Sequence, residues 1–377
     1  MSYSSVRYRR SRRFAALEKV AGNGSPEGES REVDFRPQLV VWEMTRACDL
    51  CCANCRVSFQ QSRHPLELST QQAYHLINEV AGIQVPLFVL TGGDPLKRPD
   101  LPDIVRYATQ RSVKTSLAPS ATPLLTREVI FLLARLGLMR LAMGLDGSSA
   151  QLHDAFRGVP GAYQRTLEII NWCHEAGLPV QINTTATRRN FADLDKMIEL
   201  LKELNVVLWS VFFLVPMGRG QAADLLSPED HETVFAKLYN TSKTVRFRIE
   251  TTEGQHYRRY VLQQSPAEAR PDTEDAVAPA ASGINNCRGY IFISHTGEVS
   301  PSSFLPCSAG NVTHQPLADI YRNSSLFLSL RDSSQLRGKC GRCDFRDVCG
   351  GSRARAFAFT HDPLAEEPCC AYVPPTI

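Results

Sequence analysis

This sequence predicts an α/β fold built around a parallel sheet, and three observations carry that expectation. Between residues 39 and 214, six short apolar runs alternate with amphipathic stretches. The amphipathic stretches repeat Leu and Ile at helical spacing rather than every second residue. The chain has 377 residues, 43% of them hydrophobic, which is enough to bury a sizeable core and excludes disorder of the whole. Strand and helix alternation requires right-handed crossovers between parallel strands, giving either an open doubly wound sheet or a partial barrel. In both, chemistry gathers at the C-terminal ends of the strands.

Residues 1–33 read as a solvated basic tail, with Arg7, Arg9, Arg10, Arg12 and Arg13 followed by GNGSPEGESRE. Strands are expected at 39–42, 85–90, 114–117, 140–145, 179–184 and 206–214. Between them, LSTQQAYHLINEVAG carries capping-box spacing at Ser69 and Gln72. TREVIFLLARLG and FADLDKMIELLKEL repeat the helical period. A helix in PEDHETVFAKLYN and a strand in VRFRIETTE extend the pattern, and SPAEARPDTEDAVAPAAS then breaks it as a linker. The segment from about 284 is rich in Cys and Gly and short of regular elements, as in a small module stapled by a metal. The organisation expected is a tail at 1–33, an α/β domain at 34–235, a bridging helix, strand and linker at 236–283, and the cysteine-bearing module at 284–377.

Net charge is +3, from 42 Lys plus Arg against 39 Asp plus Glu, which lacks the basic excess of a general nucleic-acid binder. No run approaches the ~18 apolar residues of a membrane span, and the Arg-rich start lacks a signal-peptide core. Neither nucleic acid nor membrane is an expected partner. The 12 cysteines fall in two groups, at 48–55 and 287–370, with Cys173 between. Clustered cysteines without an export signal indicate metal or redox chemistry in a reducing, cytoplasmic setting rather than a disulfide scaffold.

In WEMTRACDLCCANCR, Cys48, Cys52 and Cys55 form a CxxxCxxC array directly after the first strand. Three thiolates on one loop hold three irons of a cubane and leave the fourth iron open to another ligand. Cys51 gives a second register, Cys48, Cys51 and Cys55. Zinc sites separate their cysteine pairs by a dozen or more residues, so thiols crowded into eight positions favour an iron-sulfur cluster. Cys51 is expected to be a simple thiol.

With these residues in place the chain resembles the radical S-adenosylmethionine (radical SAM) superfamily. That resemblance implies a partial (β/α)6 TIM-like barrel, a 4Fe-4S cluster on Cys48, Cys52 and Cys55, and S-adenosylmethionine as cofactor. TGGDP after the second strand matches the family's Gly-Gly-Glu-Pro motif, with Asp94 in place of Glu. Gly92 and Gly93 would let the backbone approach the methionine amino group. Ser120 and Thr122, in SLAPSAT, fall in the region near the cofactor. LAMGLDG resembles the family's SLDG segment, but Gly144 replaces the Ser that commonly binds the carboxylate, and Arg157 in HDAFRG is the candidate replacement. Asn183 and Thr184 end the fifth strand, where ribose contacts are common.

The C-terminal part resembles the SPASM/twitch module, whose full form carries two auxiliary 4Fe-4S clusters. Cys287 and Gly297 fit its first positions, but Ser302 and Arg353 stand where two cysteines are expected. Both losses fall on one cluster. Cys340, Cys343, Cys349 and one of Cys369 or Cys370 remain as a complete set for the other, and Cys370 is preferred because related sequences read Pro-x-Cys-x-Tyr, as do Pro368, Cys370 and Tyr372. Two clusters in all are therefore expected, with Cys287 and Cys307 as structural thiols. Taken alone, CxxCx5C also fits a zinc knuckle.

FFLVPMGRG and CGGSRARAFAFTHDPLAEEPCCAY are similar to the branch of these enzymes that modifies tetrapyrroles. This implies reductive cleavage of S-adenosylmethionine, hydrogen abstraction from a tetrapyrrole side chain, and propionate removal or decarboxylation, with ferredoxin or flavodoxin as electron donor. Arg219, Arg353 and Arg355 are candidates for pairing propionates, and His256, Tyr257, Arg258 and Arg259 for contacting a porphyrinoid edge. His256 and His295 are candidates for ligating a tetrapyrrole iron. A peptide maturase forming thioether or carbon-carbon links is the alternative enzyme, disfavoured because some 33 residues before the barrel cannot hold a winged-helix peptide-binding domain. A non-catalytic iron-sulfur or zinc scaffold is the alternative of another class, disfavoured by an open-site motif followed by TGGDP.

Overall fold

The computed structural model describes residues 36–57, 60–264 and 288–375. The basic tail, the 265–282 linker and Cys287 lie outside the described residues.

Seven strands run in chain order: β1 (Leu39–Glu43), β2 (Leu87–Thr91), β3 (Thr115–Leu117), β4 (Arg140–Gly144), β5 (Val180–Ala186), β6 (Leu208–Phe213) and β7 (Arg248–Thr252). Each hydrogen-bonds in parallel to the next. The helices between them are α1 (Thr70–Gly82), α2 (Leu101–Gln110), α3 (Arg127–Arg135), α4 (Ala150–Arg157), α5 (Ala162–Glu175), α6 (Leu194–Glu203) and α7 (Pro228–Ser242). A doubly wound sheet reverses its strand order at a switch point. Here the order β1 to β7 never reverses, so the winding is that of a partial barrel.

Local chemistry sets the helix starts. Ser69 accepts from the Gln72 amide at 3.3 Å while the Gln72 side chain accepts from the Ser69 amide at 2.9 Å, the capping box expected from spacing. Thr126 caps α3, and Ser227 with Asp230 forms a second capping box on α7. Strand side chains alternate. Val40, Trp42, Phe88, Leu90, Ile182 and Val211 are buried in one core cluster with the inner faces of the helices. The alternate positions, including Thr91, Gln181, Asn183 and Thr185, are less covered and more polar, as suits a surface that faces a ligand.

After α8 (His256–Gln264), the chain adds β8 (Tyr290–Ile293), β9 (Glu298–Ser300) and β10 (Gly310–Asn311), then α9 (Leu317–Asn323), α10 (Ser325–Arg331), α11 (Gly338–Gly341) and α12 (Arg353–Thr360). β8 pairs in parallel with β1, and β9 and β10 follow antiparallel. One ten-stranded sheet therefore runs β10-β9-β8-β1-β2-β3-β4-β5-β6-β7. The cysteine-bearing segment is thus tied by backbone hydrogen bonds to the first barrel strand, which periodicity in a short, Gly-rich stretch does not reveal.

Candidate functional site

Cys48, Cys52 and Cys55 lie on the loop that leaves the C-terminal end of β1. TGGDP supports that loop from below. Gly93 N donates to the Thr45 carbonyl at 2.8 Å and Asp94 N to the Ala47 carbonyl at 2.7 Å. A Cβ on Gly92 would stand 2.6 Å from the Thr45 carbonyl oxygen, and one on Gly93 2.5 Å from that of Ala47. The two glycines are therefore required for contact between two backbones, a use beyond the approach to a ligand expected from the motif. The Asp94 carboxylate is buried, accepts from Thr122 Oγ1 at 2.7 Å and from the Leu96 amide, and burial raises its pKa. Its side chain fixes the turn against the end of β3. Ser120 donates to the Gly93 carbonyl at 2.9 Å and sits 3.4 Å from Cys48 Sγ, so it touches both motifs.

From the other side, PMGRG closes over the same loop. Arg219 donates from Nε to the Cys52 carbonyl at 2.7 Å and from its amide to the Cys55 carbonyl at 2.9 Å. Gly218 has φ +59, and a Cβ there would meet Cys55 O at 2.5 Å. Arg219 thus braces the cysteine loop.

The loss of Ser at position 144 has a structural counterpart. A Cβ on Gly144 would lie 1.8 Å from Arg157 Nη2, so the guanidinium takes the space of the missing side chain. Arg157 pairs with Asp146 at 2.7 Å and reaches Cys52 Sγ at 3.8 Å. Burial opposes its charge, but Asp146 and the Cys52 thiol outweigh burial and raise its pKa. It remains a cation beside the cysteines. Asn183 is level with Gly144 in the β4–β5 register, and its Oδ1 accepts from Gln181 Nε2 at 2.6 Å. Cys51, by contrast, is exposed.

Glu43, at the end of β1, carried no motif and was missed by sequence reasoning. It is fully buried between Arg56 at 2.5 Å, Arg46 at 3.1 Å and His295 Nδ1 at 3.3 Å. Burial alone would raise its carboxyl, but Arg56, His295 and Arg46 outweigh it and hold the pKa at about 2. His295, a candidate iron ligand, is buried against this carboxylate and joins the end of β8 to the end of β1.

The second group of thiols surrounds a small cavity. Cys340, Cys343, Cys349 and Cys370 line it, while Cys369 does not. Backbone amides point at the sulfurs: Glu367 N lies 3.3 Å from Cys340 Sγ, Phe345 N 3.4 Å from Cys343 Sγ and Gly351 N 3.3 Å from Cys349 Sγ. Such N–H···S contacts stabilise thiolate character. Burial pushes the bare Cys349 thiol up to about 12, so a cation must enter for it to ionise. Four thiols around one site are the donor set of a cluster held by cysteines alone. All cysteines among the described residues are free of disulfides.

Of the two positions that lack the expected cysteine, 302 belongs to a polar network centred on Glu253, another residue without a sequence signal, and 353 carries a buried arginine turned to backbone carbonyls. Ser302 donates to the Glu253 carboxylate at 2.7 Å, and so does Ser352. Glu253 has φ +54, a conformation that non-glycine residues hold only where surroundings over-determine it. Arg353 donates to the Pro363 and Ala365 carbonyls and lies 3.7 Å from Cys340 Sγ. Arg355 is fully buried, pairs with Glu367 at 2.7 Å and donates to the Leu214 and Glu253 carbonyls at 3.0 and 2.7 Å. The expectation that Arg353 and Arg355 pair with propionates is corrected: both guanidinium groups are taken up inside the protein.

The HYRR group is also corrected. It forms the buried first turn of α8. Tyr257 packs on Phe235, Arg258 donates to the Val348 carbonyl beside Cys349, and Arg259 pairs with Glu232 and lies 5.5 Å from the Tyr372 ring. His256 is 0% exposed and lines the four-thiol cavity, closed off from any large ligand outside. Neither of its ring nitrogens has a hydrogen-bond partner among the described residues. An unsatisfied buried N–H costs about 1–3 kcal/mol. The imidazole is held neutral, its pKa well below the usual value, chiefly by burial.

A partial barrel with three thiols at the mouth of β1 and a second, four-thiol site beyond it defines an iron-sulfur enzyme of the radical-generating kind. The comparisons name it more closely. Residues 42–201 match the radical SAM superfamily, and residues 286–344 match the SPASM iron-sulfur cluster-binding domain. The AdoMet-dependent heme synthase of Methanosarcina barkeri is 42% identical over 340 residues, 90% of this chain and 97% of that protein. The PqqA peptide cyclase of Rhodopseudomonas palustris is 30% identical, covering 90% of this chain and 88% of that one. The crystal structure of Streptococcus suis SuiB bound to S-adenosylmethionine superposes with TM-score 0.70 at 16% identity, over 89% of this chain and 77% of that one, a likeness of fold. The chain belongs to the radical SAM superfamily and is a radical SAM enzyme with a C-terminal SPASM domain. Its cofactors are 4Fe-4S clusters and S-adenosylmethionine.

Proposed function

We propose that this enzyme modifies a tetrapyrrole, removing or decarboxylating a propionate side chain in heme-type cofactor biosynthesis. The observation that carries this reading is the 42% identity to an AdoMet-dependent heme synthase over 97% of its length. When bound, the cluster and S-adenosylmethionine supply a 5'-deoxyadenosyl radical that abstracts hydrogen from the substrate.

Cys48, Cys52 and Cys55 hold the first cluster and leave one iron position for the cofactor. Arg157 orients the methionine carboxylate from the space over Gly144. Gly92 and Gly93 carry backbone groups to the methionine amino group, with Ser120 beside them and the Asp94 side chain holding the turn. Asn183 takes the ribose. The polar face of β5 and Thr91 at the end of β2 line the substrate space, and the loops closing over β1 exclude water. Cys340, Cys343, Cys349 and Cys370 hold one auxiliary cluster. A low-potential ferredoxin or flavodoxin supplies electrons in the cytoplasm. No helix among the described residues is long and apolar enough to cross a membrane.

The test is 5'-deoxyadenosine formation by anaerobically reconstituted protein across a panel of anionic iron porphyrins, siroheme derivatives and short peptides. Tetrapyrrole-dependent cofactor cleavage, with a shifted tetrapyrrole absorption band, is the expected result. Acceleration by peptides alone transfers the assignment to the peptide-modifying branch.

A further inference from the structure

We propose that His256 is a positioning residue for the auxiliary cluster, donating a ring N–H to a cluster sulfur and thereby raising the cluster's reduction potential. The argument rests on the reading of Cys340, Cys343, Cys349 and Cys370 as cluster ligands.

His256 opens α8 immediately after the turn that follows β7, and the aromatic wall formed by Phe235, His231 and Phe213 fixes its ring, with centroids 4.7, 5.1 and 6.3 Å away. The neighbouring His231 differs in its bonding: its Nδ1 lies 2.9 Å from the Ser227 carbonyl oxygen. His256 has no such partner, yet it is fully buried and faces the four-thiol cavity. The other polar side chains of the cavity wall are engaged elsewhere. Lys339 donates to the Cys370 carbonyl at 2.6 Å, Arg346 to the Gly341 carbonyl at 3.1 Å, and Arg259 and Glu367 are in ion pairs.

A buried donor without a partner is rare in a folded protein and calls for an explanation, a redox role beside a bound group among them. Among the described residues of the wall, the Glu367 carboxylate is already paired with Arg355, which leaves the sulfurs as acceptors for His256. Four thiolates complete the irons' coordination, so the imidazole is not needed as a ligand and acts through hydrogen bonding. Hydrogen bonds to the sulfurs stabilise the reduced, more negative cluster and move the potential upward. The amides already aimed at Cys340, Cys343 and Cys349 act in the same sense, and His256 adds a side-chain donor that substitution can remove.

The test uses the full chain with Cys48, Cys52 and Cys55 replaced by Ala, so that any cluster present is the auxiliary one. Iron content is measured first: absence of about four irons per chain in this parent overturns the cluster reading itself and is thereby distinguished from failure of the His256 proposal. The midpoint potential is then followed by EPR-monitored redox titration in the parent, His256→Leu and His256→Asn. With iron retained, His256→Leu is expected to weaken reduction about tenfold, a fall of about 59 mV for a one-electron couple. It is also expected to lose one exchangeable-proton coupling in ENDOR spectra taken in H2O and D2O. His256→Asn, which keeps a donor, should recover at least half of the shift. An unchanged potential in His256→Leu, or an equal fall in both variants, overturns the proposal. If His256→Leu loses iron, His256→Phe, which fills the aromatic wall, replaces it in the same comparison.

Discussion

The two cysteine sites use the same ligand atoms in opposite settings. The N-terminal loop carries three thiols, rests on glycine-to-backbone contacts at Gly92, Gly93 and Gly218, and places the cation Arg157 beside Cys52. The C-terminal site carries four thiols, two of them buried, and is locked by the Arg355–Glu367 pair and the network of Ser302 and Ser352 on Glu253. An open ligand position requires a loop shaped by backbone packing, because side chains crowded around it would occupy the place of the cofactor. A closed cluster tolerates, and is stabilised by, a dense polar surround.

The largest expected effects separate the two sites outright. Replacing Cys48, Cys52 and Cys55 by Ala abolishes 5'-deoxyadenosine formation while about half of the eight irons of two cubanes remain. Replacing Cys340, Cys343, Cys349 and Cys370 leaves the other half. Iron and product assays on matched preparations check both, and a variant that loses all of its iron or none of it breaks the comparison.

Next comes the buried pair. Arg355→Met leaves Glu367 as an uncompensated buried carboxylate and lowers stability by about 3–5 kcal/mol, read as a urea midpoint shift. Iron should be lost from the C-terminal site before the N-terminal one. At the end of β1, Glu43→Gln removes the partner of Arg56 and Arg46. The Glu43 pKa falls from 4.5 unfolded to about 2 folded, so its contribution is present above pH 4.5 and is lost as the pH drops towards 2. That shift corresponds to about 3 kcal/mol at neutral pH. The stability gap between parent and variant should close on acidification, and a gap constant from pH 7 to 3 contradicts the assignment.

The smallest effect is the most local. Gly144→Ser places a Cβ in the volume of the Arg157 guanidinium and displaces it. Removing one charge-assisted contact weakens S-adenosylmethionine binding about 10–100-fold, with iron content unchanged, as equilibrium binding would report. Unchanged affinity shows that the new hydroxyl replaces the guanidinium.

Most of the barrel was legible because its signals are local. Short apolar runs and period-3.6 patterns mark the strands and their helices, and Ser69 with Gln72 set a cap three residues apart. The cysteine arrays and TGGDP were legible for the same reason, since one loop presents its ligands at fixed spacing. The roles of Arg219, Arg353, Arg355 and the HYRR group were not. A charged residue in sequence reads as surface, and its partner is set by the fold: Arg355 meets carbonyls 102 and 141 residues away.

The sequence by itself determined the strand order's raw material, the three-thiol array, three of the four thiols of the second set and the absence of cysteine at positions 302 and 353. Tertiary structure decided what occupies those two positions, that Cys370 rather than Cys369 lines the cavity, that β8 extends the barrel sheet, and that His256 faces the thiols. The physical reason is the range of the interactions. Backbone propensity and ligand spacing act within a few residues, whereas the pairing of a buried charge or the orientation of a buried imidazole depends on chain segments brought together by folding.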